Sequence, residues 1–272
     1  MLAQRVLAAA VLLPFGLAAI YFGGWIFAGV VLLILGLAAW EYGNLFRAGG
    51  YKPASIIIIL GTLLLAAGRA LGGFEYADWM ISLVVLVSMA YHLVAFERGR
   101  DKSASDFAIT LGGVMYLGWI GAYLISLRNL EEGMWWVLLV LPAVWLADGG
   151  AYFIGKAFGR HHMSPRLSPK KTWEGYLGGI LVGTLGTALL AYLWGNLAGT
   201  GTAITVINGA VLGLVLSVVT VLGDLGASMI KRQVGVKDSS NLIPGHGGVF
   251  DRIDSWLWAG VIGYYMIVGL FI

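Results

Sequence analysis

Between residues 223 and 254 an otherwise apolar chain turns polar, and the residue types there suit phosphate and metal chemistry. Asp224, Ser228 and Lys231 recur at i, i+4 and i+7, so on a helix they share one face. An acid, a hydroxyl and an ammonium on one face are what a metal–phosphate site requires. Mg²⁺ is anchored by carboxylates, keeps waters and takes substrate phosphates as further ligands. Downstream come Arg232, Lys237 and Asp238, then the glycine-rich Pro244-Gly245-His246-Gly247-Gly248, then Asp251-Arg252-Ile253-Asp254. Glycines let a backbone approach a ligand closely and reach positive φ. Asp251 and Asp254 lie one turn apart where a helix would begin. A carboxylate there is kept ionised by the helix dipole, and the competing reading is that one of the two merely caps the helix. For His246 the favoured roles are phosphate donor or structural hydrogen-bonder, because phosphoryl oxygens need no base.

Two further polar spots match this one. Asp148 stands inside an apolar run, with Tyr152 and Gly155 on its helical face. An acid at membrane depth is expensive and points to function, the alternative being a structural pair with a neighbouring helix. Residues 164–175, SPRLSPKKTWEG, hold two Ser-Pro pairs that keep the backbone extended. Ser168, Lys170 and Lys171 then lead to Thr172, placed to cap the next helix. Free amides, hydroxyls and two ammonium groups at a helix start suit a phosphate. A charge pair at the positive side of a membrane is the equal alternative.

The elements that must position these groups are membrane helices. Of 272 residues 59% are hydrophobic and 11% charged, against about 25% charged in soluble domains, and the mean hydropathy is +0.86. The fold class is therefore an all-α polytopic integral membrane protein. With about 20 apolar residues per span, nine helices are expected, near 5–22, 25–42, 54–72, 78–96, 106–127, 134–155, 175–196, 203–229 and 255–272. Residues 6–22 read as a retained first helix, without a cleavage site. Placing the N-terminus in the cytoplasm puts 15 of the 17 basic residues on that side, leaving only Arg69 and Arg128 opposite. This asymmetry fixes a cytoplasmic N-terminus, an outside C-terminus and cytoplasmic motif loops. Helices 1–5, within residues 1–130, form an N-terminal embedding region. Residues 131–272 form the catalytic region, with cytoplasmic loops 156–174 and 230–254. Gly175, Gly179 and Gly183 make a small-residue stripe for close helix packing, within the chain or across a dimer.

Several classes are excluded. Without cysteine there are no disulfides, thiolate metal sites or cysteine nucleophiles. No P-loop, paired GxGxxG, H-E-x-x-H or serine triad is present, and no basic patch interleaved with aromatics points to nucleic acid. His92 reads as interfacial, and His161 and His162 as attractors of anions in a basic loop.

The run Ser228-Met229-Ile230-Lys231-Arg232, with Lys237-Asp238, residues 244–248 and Asp251-Arg252-Ile253-Asp254, resembles the signature of the phosphatidate cytidylyltransferases, the CDP-diacylglycerol synthases. The resemblance spans 27 contiguous residues, and residues 168–175 and Gly223-Asp224 resemble further motifs of that family. It implies that CTP and phosphatidic acid give CDP-diacylglycerol and pyrophosphate with Mg²⁺. It also implies a homodimer in a bacterial-type cytoplasmic (inner) membrane, with its site facing the cytoplasm. On the matching positions, Asp224 and Asp251 are the metal carboxylates and Asp148 is a further candidate. A second cation, divalent or K⁺, stays open.

The residue chemistry agrees with that reaction. The phosphatidate oxygen is already anionic, so the barrier is charge repulsion and alignment, which positioning and neutralisation lower. Asp224 and Asp251 are expected to share a cation, with Lys171 and Lys231 as the catalytic ammonium groups. Ser168, Lys170, Thr172, Ser228, Arg232, Lys237, Asp238, His246, Gly247, Gly248 and Arg252 are expected to hold the phosphates. Two readings compete. A transporter would use Asp148 in an ion path, but the polar groups gather at one face and no inverted repeat is visible. A CDP-alcohol phosphotransferase would carry a D-x-x-D-G helix motif that the chain lacks.

Overall fold

A computed structural model describes residues 13–240, 242 and 247–272. Among them, eight helices are long and apolar enough to cross a membrane, and a shorter apolar helix, α1 (Leu13–Phe22), precedes them. The chain is thus a polytopic helical membrane protein. The expected first span begins outside the described residues.

Two compact units emerge. The first comprises residues 1–126 and 230–253, the second residues 127–229 and 254–272. The first contains α1, α2 (Gly24–Ala48), α3 (Ser55–Gly72), α4 (Ala77–Glu97), α5 (Ser103–Gly113), a π-helical stretch (Val114–Ile120) and most of α6 (Tyr123–Arg128). The second holds α7 (Gly133–Phe158), strands β1 (His162–Ser164) and β2 (Ser168–Thr172), α8 (Trp173–Ala198) and α9 (Val206–Val219). Helix α10 (Val221–Gln233) starts in the second unit and ends in the first. Helix α11 (Phe250–Met266) starts in the first and ends in the second.

In the first unit Leu35, Ile58 and Leu117 are fully buried. Small residues set the spacing. A Cβ on Gly118 would stand 2.8 Å from the Thr62 backbone, and one on Gly61 would stand 3.0 Å from Val114. The fifth span was expected to be one straight helix. It widens instead into a π turn over Val114–Ile120, a form that inserts a residue into the helical ladder. In the first turn of α5, buried Asp106 accepts from the Lys52 amide at 2.9 Å and pairs with Arg100 at 2.7 Å. Arg69 is buried too: it donates to Ser126 Oγ at 3.0 Å and lies 3.6 Å from the Phe74 ring centre. The stretch 230–253 packs into this unit. Phe250 meets Tyr42 and Tyr116 edge-on, and Val234 fills the space that a Gly49 side chain would need.

In the second unit α7 and α8 meet backbone to backbone. A Cβ on Gly175 would stand 2.7 Å from the Ala151 carbonyl, and one on Gly179 would stand 2.6 Å from the Ala147 carbonyl. The glycine stripe therefore packs within the chain, as close-packed membrane helices require. The eighth span, expected as one helix, breaks at Thr220. Its hydroxyl donates back to the Leu216 carbonyl at 2.7 Å, and the Gly223 amide turns to the Thr220 carbonyl. Such back-bonding competes with the helical ladder and bends it. The residues expected to be extended before α8 pair as an antiparallel hairpin, with His162 opposite Thr172 and Ser164 opposite Ser168. This small sheet is the one departure from all-α among the described residues.

Replacing Gly179 by Leu should drive α7 and α8 apart and lower stability by about 1–3 kcal/mol, the usual cost of overpacking. Gly149→Leu, where a Cβ meets open space, serves as control. Unfolding midpoints in detergent micelles compare the two, and equal midpoints would refute the backbone contact.

Candidate functional site

Each unit carries a carboxylate paired with a lysine. In the second unit the hairpin delivers the lysine. Thr172 caps α8, accepting from the Gly175 amide at 3.2 Å, as the sequence had indicated. Glu174, in the first turn of α8, accepts from the Arg160 amide at 3.1 Å, the His161 amide at 3.2 Å and His161 Nδ1 at 2.5 Å. These bonds tie the hairpin base to the helix start. Lys171 Nζ thereby reaches Asp224 Oδ2, in the first turn of α10, at 2.5 Å. Both side chains keep a quarter to a third of their exposure, at 25% and 34%.

A cavity of about 390 Å³ opens beside this pair, entirely within the second unit. Asp148, Tyr152 and Gly155 all line it, so the helical face read from their spacing is present. Lys170, Lys171 and Thr172 line it from the hairpin, and Ser217 and Thr220 from α9 and its break. Mixed apolar walls with a few convergent polar groups are the usual character of a small-molecule site. Ser168 sits half-buried in β2, and His161 and His162 are exposed.

The first unit carries the second pair. Lys231 Nζ donates to Asp251 Oδ1 at 2.6 Å, with side-chain exposures of 10% and 7%. Asp251 Oδ2 accepts from the Ser239 amide at 2.8 Å, the Ser239 hydroxyl at 2.8 Å and the Gly248 amide at 3.1 Å. Gly247 has φ of 80° and lies against Asp251, so a side chain there would meet both strain and the carboxylate. Gly248 faces Ser239 and Glu41 with no room for a Cβ. Arg232, Lys237, Asp238 and Arg252 are exposed, and Ser228, on the part of α10 that belongs to the second unit, is buried. Arg232 donates only locally, to the Val236 carbonyl at 3.3 Å. Asp254 is buried in the second unit and accepts from the Ser255 amide at 2.6 Å. His246 lies outside the described residues.

Glu41 is the residue that sequence reasoning passed over. Its carboxylate is fully buried and accepts from Ser239, Ser240 and the amides of Val249 and Phe250. The signal was available: an acid inside an apolar helix is the same criterion that singled out Asp148.

Among the described residues no three His, Asp or Glu side chains gather as a metal cage. The donor set still fits Mg²⁺, which is commonly held by one or two carboxylates together with substrate phosphates and water. In the second unit Asp224, beside Lys171, and Asp148, on the cavity wall, are carboxylates of this kind; in the first unit Asp251, beside Lys231, is another.

Comparison with known sequences agrees with this chemistry. A profile of the Cytidylyltransferase family matches residues 3–270. The chain is 31% identical over 297 residues to the phosphatidate cytidylyltransferase of Synechocystis, covering 97% of this chain and 96% of that one. It is 37% identical over 264 residues to the phosphatidate cytidylyltransferase of Pseudomonas aeruginosa, covering 94% and 93%. The Bacillus subtilis phosphatidate cytidylyltransferase is 39% identical over 160 residues, 58% of this chain and 57% of that one. With the match running nearly from end to end, the chain belongs to the cytidylyltransferase family.

Proposed function

We propose that this protein is a phosphatidate cytidylyltransferase, joining CTP and phosphatidic acid into CDP-diacylglycerol with release of pyrophosphate. The observation that carries the reading is the family match over residues 3–270, with full-length relatives that bear that name. The lysine–carboxylate pairs supply chemistry consistent with it. An anionic phosphatidate oxygen attacks the α-phosphorus of CTP, the α–β bridging bond breaks, and pyrophosphate leaves with its electron pair. No proton must be removed from the nucleophile, so the residues act by placement and neutralisation.

Lys170, Lys171 and Lys231 meet phosphate oxygens as point charges, and Thr172, Ser168 and Ser228 donate hydroxyl hydrogen bonds. As a phosphate takes the ammonium of Lys171 or Lys231, Asp224 or Asp251 is left with uncompensated charge. Those carboxylates, with Asp148, are the groups to hold Mg²⁺, alone or with a second divalent ion or K⁺. The bound ion supplies charge neutralisation at the reacting phosphates. Arg232, Lys237 and Arg252, exposed beside the buried Lys231–Asp251 pair, add an electrostatic draw for CTP, and Asp238, Gly247 and Gly248, with His246 on its sequence position alone, are the remaining candidates for phosphate contact. The basic asymmetry of the loops supports a site facing the cytoplasm of a bacterial-type inner membrane, where CTP is available, with the C-terminus outside. A homodimer follows from the family resemblance.

Purified protein in phosphatidate-containing micelles should form CDP-diacylglycerol from labelled CTP only with Mg²⁺. Absence of that product would defeat the proposal. Asp224→Asn and Asp251→Asn should each lower kcat by roughly 10²–10³, the loss seen when a preorganised electrostatic contact is removed. Near-normal Mg²⁺-dependent turnover in either variant would remove that residue from the metal set.

Reversing both Lys170 and Lys171 to Glu should raise KM at least about tenfold, the effect of roughly 1.4 kcal/mol. Their partly exposed positions predict under about 1 kcal/mol lost in stability. Lys231→Met should behave oppositely, leaving Asp251 buried and unpaired at a cost of about 3–5 kcal/mol. Unfolding midpoints beside kinetics for the two variants separate the roles.

A further inference from the structure

Glu41 lies seven residues inside the end of α2, about 10 Å along the helix. Its side chain has no exposure to solvent. Such a charge persists only if its oxygens are fully satisfied, and the arrangement is symmetrical. Oε1 accepts from the Val249 amide at 2.9 Å and the Ser240 hydroxyl at 2.5 Å. Oε2 accepts from the Phe250 amide at 2.7 Å and the Ser239 hydroxyl at 3.1 Å. Three donors, and the Ser239 hydroxyl that Asp251 shares, meet the roughly four acceptor positions of a carboxylate. The two amides are among those that the start of α11 leaves without helical partners. Glu41 therefore caps α11 from another helix, where the dipole also favours its charge.

A cap alone would not need both serines. The Ser239 hydroxyl lies 3.1 Å from Glu41 Oε2 and 2.8 Å from Asp251 Oδ2, yet it has one proton to give. It stands between two carboxylates, while the Ser239 amide donates to Asp251 as well. Glu41 thus holds Ser239 on one side of Asp251, and Val249 and Phe250 directly before it. We infer that Glu41 is a positioning residue for nucleotidyl transfer, fixing the Asp251 carboxylate through Ser239 and the first amides of α11. The inference rests on the assignment of Asp251 in the proposed function.

Glu41→Gln tests it because shape is conserved and only the acceptor pattern changes. The new amide NH₂ must face either the Val249 or the Phe250 N–H, and a backbone donor cannot turn away as a hydroxyl can. Amide hydrogen exchange at Val249 or at Phe250, whichever faces the new NH₂, should accelerate at least tenfold in the variant without substrate or metal. With substrates and Mg²⁺, kcat per folded molecule should fall about 10²-fold, the cost of a misplacement near 1 Å, with KM for CTP changed less than threefold. Adding Ser239→Ala to Glu41→Gln should cost less than it costs in the wild type, since both act through the same contact. Faster exchange with kcat within twofold of wild type would mean a structural cap only and would overturn the inference. So would unchanged exchange. A wild-type protein that never turns over CTP would instead fell the proposed function, while the exchange result would still report on the cap.

Discussion

A hydrocarbon interior offers no water to a stranded amide or carboxylate, and the buried carboxylates of the first unit are arranged around that constraint. Glu41 shows its force most directly. A charge in the middle of an apolar helix is tolerated because four donors converge on it from residues about 200 positions away. Those donors need it as much as it needs them, since two belong to a helix start that would otherwise be bare. Asp251, with a lysine, a hydroxyl and two amides, repeats the solution a few residues on. Asp106, held by Arg100 and the Lys52 amide, does so again.

The two lysine–carboxylate pairs differ in a way that bears on function. Lys231 and Asp251 are nearly closed off, so their mutual neutralisation is part of the folded state. Lys171 and Asp224 are a quarter to a third exposed and sit beside a cavity. Parting Lys171 from Asp224 therefore costs little, whereas parting Lys231 from Asp251 leaves a buried charge uncompensated and costs more.

Much of this was legible in the residues because it depended on local periodicity. The spans follow from runs of apolar side chains, Thr172 from its place before a helix, and the Asp148–Tyr152–Gly155 face from a spacing of four and three. What the sequence hid was long-range or depended on competition between bonds. The pairing of the hairpin needed the partner strand as well as the two prolines. The break at Thr220 arises from one hydroxyl turning onto its own helix, which an apolar run gives no reason to expect. Helix α2 was expected to stop near residue 42 but runs through Glu41 to Ala48, since the charge finds its partners far along the chain. Glycine spacing revealed that α8 would pack closely, and the fold revealed against what.

That packing has a further bearing on selectivity. Where Gly175 and Gly179 press on the carbonyls of Ala151 and Ala147, the separation of α7 and α8 is set by main-chain atoms. No rotamer can widen or narrow it. The spacing of the two helices behind the cavity is therefore a fixed calliper, insensitive to thermal rearrangement of side chains. Differences in the size of ligand accepted must then come from the side chains that line the cavity, Tyr152 and Tyr176 on the two helices and those of the hairpin and the α9–α10 break, and not from the spacing of the helices.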